Sequence, residues 1–133
     1  MIKVTETKLG HCPVETALAV IGGKWKPLIL WHLGEDICRF SELQRLIPGI
    51  TRKMLTQHLR ELERDGIVAR KTFNEMPPRV EYSLTEYGSS LRPLLRALCD
   101  WGSCHEARVG RNGTSPAQKI AEPTPRRMPL AIG

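Results

Sequence analysis

The segment TRKMLTQHLRELERDGIVARKTF (Thr51–Phe73) most constrains what this chain can become. Pro48-Gly49 stops whatever precedes it, Thr51 suits an N-cap, and Gly66 ends the run before a strand-like VARKTF. On a helix from Thr51 to Asp65, turning by about 100° per residue, Met54, Leu55, Leu59 and Leu62 share one side. Lys53, Thr56, Gln57, Arg60 and Arg64 fall roughly opposite, within an arc about 100° wide. Arg52 borders that arc, while His58 and Glu61 point elsewhere. Taken alone, a basic face on an amphipathic helix is most often simply solvated. The neighbouring elements decide whether it meets a polyanion.

The chain has 133 residues, which suits one domain. Its 20 Lys and Arg against 14 Asp and Glu leave a formal charge of +6, which favours an anionic partner without proving one. Half of that excess lies after Cys104, where Arg108, Arg111, Lys119, Arg126 and Arg127 face only Glu106 and Glu122. The remainder argues for nucleic acid only through its arrangement on one face. No run approaches the roughly 18 apolar residues of a membrane span, and the N-terminus lacks a signal-peptide core. A cytoplasmic protein with mostly reduced Cys12, Cys38, Cys99 and Cys104 is expected.

Upstream, Cys12-Pro13 opens a short helix through Ile21, with Cys12 at or near its N-cap, and Gly22-Gly23 ends it. A second helix, from about Trp25 to Leu33, is apolar on most sides, with Trp25, Leu28, Ile29, Trp31 and Leu33 expected inside. A third starts at Phe40-Ser41, where Ser41 and Gln44 match a capping box and Phe40 a hydrophobic staple; Leu43, Leu46 and Ile47 form its inner face. Downstream, strands at Val68–Phe73 and Val80–Leu84 flank a connection holding Pro77 and Pro78. Thr85 then caps a helix expected from about Glu86 to Cys104, kinked at Pro93. Residues 105–133, with four Pro and three Gly, read as a basic, disordered tail to a domain spanning 1–104.

Short helices followed by a hairpin give a mainly α fold with a small two- to three-stranded β-wing: a winged helix-turn-helix, in which the second helix of the turn enters the major groove. CPVETALAVIGGKWKPLILWHL, RFSELQRLIPGITRKMLTQHLRELERDGIVAR and PPRVEYSLTEYGSSLRPLL occur in this order over about residues 12–101, and together they resemble the HxlR-type winged-helix transcription regulators of bacteria. The resemblance implies a homodimeric DNA-binding regulator, joined through its N-terminal and last helices. Leu91, Leu94, Leu95, Leu98 and Trp101, at helical spacing, are the candidate dimer contacts. Two-fold symmetry then implies a palindromic double-stranded operator with half-sites about 10 bp, or a multiple, apart.

On this reading Arg52, Lys53, Thr56, Gln57 and Arg60 approach DNA, with Lys53, Gln57 and Arg60 as candidates for base edges. Thr51 and Arg64 are candidates for phosphate contact, and Arg79, beside the Pro-Pro turn, for the minor groove or phosphate with support from Arg70 and Lys71. Cys12 sees the positive end of a helix dipole, which favours a reactive thiolate; His11 precedes it and Lys8 is near. Several regulators of this type have a cysteine at that position that senses oxidants or electrophiles. Cys99 and Cys104 are its candidate partners across a dimer, while Cys38 reads as structural. A ligand- or metal-responsive regulator without a thiol switch is the alternative. His11, Cys12, Cys104 and His105 match no zinc spacing, so neither metal nor cofactor is expected. No phosphate loop, nucleophile elbow or carboxylate pair points to an enzyme. A small interaction module with a basic face is the remaining rival. Repression is the default sign of regulation, through occlusion of polymerase.

Overall fold

The structure, a computed structural model, describes residues 12–110. The order is α1 (Pro13–Ile21), α2 (Trp25–Glu35), β1 (Cys38–Arg39), α3 (Phe40–Leu46), α4 (Arg52–Arg64), β2 (Val68–Phe73), β3 (Arg79–Leu84), α5 (Glu86–Ser89) and α6 (Arg92–Val109). The antiparallel sheet has the order β1-β3-β2, pairing Cys38 with Tyr82 and Val68 with Leu84. This is the winged helix-turn-helix, with α3 and α4 as the helix pair and β2–β3 as the wing. The chain divides into two compact units, Met1–Leu98 and Cys99–Gly133, with the boundary inside α6.

The core is built mainly from the inner faces of α2, α3 and α4. Ile29, Leu30 and Leu33 of α2, Leu43 of α3 and Leu55, Leu59 and Leu62 of α4 are almost fully buried, together with Ile47, Ile67 and Val68. Each large aliphatic side chain contributes about 1.5–3 kcal/mol by leaving water. α2 differs from the expectation: Leu30 faces inward, Leu28 is half exposed and Trp31 is only partly covered. More consequentially, Lys26 is buried, and its Nζ lies 2.7 Å from Glu61 Oε1 on α4.

Three boundaries also depart from the sequence reading. α3 is capped at Arg39, not Ser41, because the β1–β3 pairing holds the chain extended up to Arg39. The Glu42 carboxylate then accepts from the Arg39 amide at 2.8 Å. Leu43 and Ile47 face the core from α3 and its end, but Leu46 is exposed. The expected long helix kinked at Pro93 is two helices: α5 stops at Ser89, and Pro93 falls in the first turn of α6, where its missing N–H costs nothing. α6 continues past His105 to Val109, so the first residues assigned to the tail are helical; residues 111–133 lie outside the described residues.

The link from the sheet into α5 is closed by Thr85. Its hydroxyl donates to the Gly66 carbonyl at 2.6 Å and accepts from the Gly88 amide at 2.8 Å, while its own amide bonds the Ile67 carbonyl at 3.0 Å. Gly66 has φ +76°, a conformation that closes α4 and that a β-carbon disfavours. Gly88 is buried directly against the Ile67 carbonyl, so any added Cβ collides with backbone.

Gly88→Ala should therefore lower stability by about 1–3 kcal/mol, read by urea denaturation; an unchanged midpoint would show that this turn gives way freely. The Lys26–Glu61 pair sets a pH dependence. Hydrogen bonds from Lys26 and Gln57, with the Lys26 charge, hold the Glu61 carboxyl at about 2 against an ordinary 4.5. The unfolded chain takes up this proton more readily than the folded one, so the contribution is complete above about pH 4.5 and is lost toward pH 2. Glu61→Gln should flatten that part of the stability–pH curve, and identical acid limbs would contradict it.

Candidate nucleic-acid interface

α4 is fixed at both ends and along one side. Thr51 Oγ1 accepts from the Met54 amide at 3.0 Å, satisfying one of the first-turn donors. Leu55, Leu59 and Leu62 anchor the inner stripe, and α4 packs on both α2 and β2. With that face committed, the helix has no rotational freedom. Arg52, Lys53, Gln57, Arg60 and Arg64 are all exposed on the opposite face, and Thr56 is half-buried among them. Together with Glu61 they line one shallow groove along the outer surface of the helix. The arc read from periodicity is a real surface, but Glu61, expected to point elsewhere, lines it too.

Several of these side chains are already oriented. The Arg52 guanidinium lies over the Phe40 ring, 5.0 Å from its centroid, which holds it beside the first turn. Thr56 Oγ1 donates to the Arg52 carbonyl at 2.8 Å, and Gln57 Nε2 donates to Glu61 Oε2 at 3.3 Å. Arg64 Nε lies 3.6 Å from Asp65. Lys53 and Arg60 have no carboxylate within ion-pair distance among the described residues, so their charge is available to a ligand.

A second groove lies between α4 and the sheet, lined by Thr56, Arg60, Arg64, Arg70 and Tyr82. Arg70 Nε is 3.6 Å from Glu63, tying β2 to α4. Burial, more than the neighbouring charges, raises the Tyr82 hydroxyl above its ordinary range, so this side chain stays a neutral donor.

Arg79 is placed differently from the other candidates. Its Nη2 lies 3.3 Å from Glu75 and its Nε 3.4 Å from Glu81, and its guanidinium stacks on Phe73 at 3.9 Å. These contacts make it a brace inside the wing, where Arg70 and Lys71 are the exposed cations.

Cys12 is exposed as the N-cap of α1, with no side-chain capping bond and with its carbonyl accepting from Glu15 at 2.8 Å. His11 and Lys8 lie outside the described residues. Cys99 and Cys104 are exposed on α6. Cys38 is buried, and burial followed by the charges of Glu42, Asp36 and Glu35 pushes its thiol up, away from the reactive form. His105, from the rejected zinc set, stacks on Trp101 with ring centroids 5.0 Å apart. Among the named dimer residues, Leu95 is buried and Leu91 partly so, whereas Leu94, Leu98 and Trp101 are exposed.

Sequence reasoning missed Lys26. A lysine inside an otherwise apolar helix was the available signal, but only α4 packed alongside reveals its partner.

A family model for HxlR-like helix-turn-helix proteins matches residues 20–109. The chain is 56% identical over 104 residues to the HTH-type transcriptional regulator YtcD of Bacillus subtilis (strain 168), covering 78% of this chain and 82% of that one. Among solved structures it is similar to the redox regulator HypR in its oxidized form, at 50% identity and a TM-score of 0.68, covering 70% of this chain and 96% of the other. It is also similar to diamide-treated YodB from B. subtilis, at 36% identity and a TM-score of 0.60, covering 71% and 95%. The fold, the basic outer face of α4 and the match across most of the described chain agree: the chain belongs to the HxlR-like helix-turn-helix family of transcriptional regulators.

Proposed function

We propose that the protein is a homodimeric, sequence-specific DNA-binding repressor that acts in the cytoplasm on palindromic operators. The observation that carries this reading is the outer face of α4, where Arg52, Lys53, Gln57, Arg60 and Arg64 share one exposed groove while the leucines opposite lock the helix. A helix presented this way fits the major groove, which admits a single α-helix. Lys53, Gln57 and Arg60 read base edges; Thr51, Arg52, Thr56 and Arg64 contact the backbone beside them. The wing, braced by Arg79 and carrying Lys71, follows the phosphates. The exposed Leu94, Leu98 and Trp101 of α6 meet a second copy, which sets the half-site spacing. Such a dimer, bound across a promoter, blocks polymerase.

Cys12 adds a thiol switch. It is exposed at the N-terminus of a helix whose outer residues Val14 and Leu18 are also exposed. The likeness to HypR, a redox regulator, and to YodB, studied after diamide treatment, supports this. Modification of the sulfur would bias the pair between a DNA-competent and an incompetent arrangement. Cys99 and Cys104 are the thiols available to it from a partner.

Binding to the DNA upstream of the gene encoding this protein, at fixed salt with competitor DNA, tests the interface. Arg60→Ala should cost about 1–3 kcal/mol on the operator and relax one base position, whereas Arg64→Ala should weaken all sequences alike and reduce the salt slope by about 1. Unchanged operator affinity in Arg60→Ala would remove α4 from the contact. The same assay after mild thiol oxidation tests the switch: wild-type affinity should change and that of Cys12→Ser should not. A wild type indifferent to oxidant would leave a regulator controlled by a ligand.

A further inference from the structure

Lys26 is the only charged side chain among the described residues that is buried, at 7% exposure. An ammonium in that position is tolerated only with a partner. The partner is Glu61, whose Oε1 lies 2.7 Å from the Lys26 Nζ. The other carboxylate oxygen, Oε2, accepts from Gln57 Nε2 at 3.3 Å. Both oxygens of one carboxylate are thus engaged, one by a cation fixed in α2 and one by a candidate base reader on the outer face of α4.

The chemistry of this chain of contacts is directional. An ionised carboxylate accepts hydrogen bonds and donates none. With its carboxyl held down to about 2 by Lys26 and Gln57, Glu61 is ionised at neutral pH. Only the NH2 end of the Gln57 amide can therefore face it, which turns the carbonyl Oε1 away. A glutamine without such a tether can rotate its amide end for end and accept or donate as the base requires. Glu61 is itself half-exposed and would swing freely without its anchor. His58 Nδ1, 3.8 Å from Glu61 Oε1, is too far to hold it by a hydrogen bond.

We propose that Lys26, acting through Glu61, is a positioning residue for base recognition: it holds the Gln57 amide with its carbonyl toward the DNA, so that Gln57 selects a base offering a major-groove donor. Adenine offers N6–H and cytosine N4–H; guanine and thymine present acceptors at the corresponding edge and are repelled. This rests on the placement of α4 in the major groove proposed above. It goes further in assigning a specificity role to a residue that never touches DNA.

The experiment is selection from random-sequence duplex DNA by the full chain at fixed salt, sequencing the bound pool for wild type, Gln57→Ala, Lys26→Met, Lys26→Arg and Glu61→Gln. In the wild type, the half-site position whose preference disappears in Gln57→Ala should favour adenine or cytosine. At that position Lys26→Met and Glu61→Gln should lower the preference by about tenfold, leave the other positions as they were, and be matched by near-normal selection in Lys26→Arg. A purely structural role would weaken binding at every position and leave the profile intact, which would overturn the proposal. So would a guanine or thymine preference at the Gln57-dependent position, or full retention of the preference in Glu61→Gln. That isosteric variant at a partly exposed site carries the test should Lys26→Met fail to fold. A Gln57→Ala profile identical to wild type would instead remove Gln57 from base reading, a failure of the interface itself that is distinguishable from a failure of the Lys26 tether.

Discussion

The aim of the basic residues on α4 depends on the commitment of the opposite face to the core. Leu55, Leu59 and Leu62 are buried almost completely against α2 and the first wing strand. Rotating the helix by even one residue position would expose at least one of them, at about 1.5–3 kcal/mol each. This burial does more than stabilise the domain. Because a helix is rigid and its side chains repeat on a fixed period, holding one stripe inward aims the opposite stripe outward with the same accuracy. The basic residues need no partner of their own to be positioned.

The polar contacts refine an arrangement that packing has set. The Thr51 cap fixes where α4 begins, Gly66 where it ends, and the Glu63–Arg70 pair ties its last turn to the wing. Lys26–Glu61 couples α2 to the outer face of α4 through a buried charge that needs its partner. Within the wing, Arg79 is shared between two carboxylates and an aromatic ring, so the hairpin keeps its shape before any DNA is bound. The surface is therefore largely organised by the fold itself, and any ligand that binds it would meet a low ordering cost.

Much of this was legible in the residues. The bounds of α4, its cap, its buried leucines and the first wing strand all follow from local chemistry: a hydroxyl at the N-cap, a helical period of apolar residues, a glycine, then β-favouring residues. The readings that failed did so where a distant partner overrode a local signal. Ser41 looked like a cap, yet the pairing of Cys38 and Arg39 with β3 moved the helix start upstream. Leu28 looked internal because α2 is apolar on most sides, and Leu46 because α3 spans only two turns; such segments carry little directional information. Pro93 was read as a kink because Thr85 and the apolar spacing after it suggested one helix. The turn at Ser90 and Leu91, formed as Gly88 packs on Ile67, separates two.

The sequence by itself determined α4 and the face of it that is basic, the first wing strand and the family to which the chain belongs. Those depend on neighbours within a few residues, whose spacing is written in the chain. Only the tertiary structure decided which charges are free and which are held. Lys26 and Arg79 are ordinary cations in the sequence. Packing α2 against α4 buries the first beside Glu61, and folding the hairpin sets the second between Glu75 and Glu81. The physical reason is that an ion pair is a property of two positions brought together through space. Its strength depends on a separation and a local dielectric that no one-dimensional pattern contains.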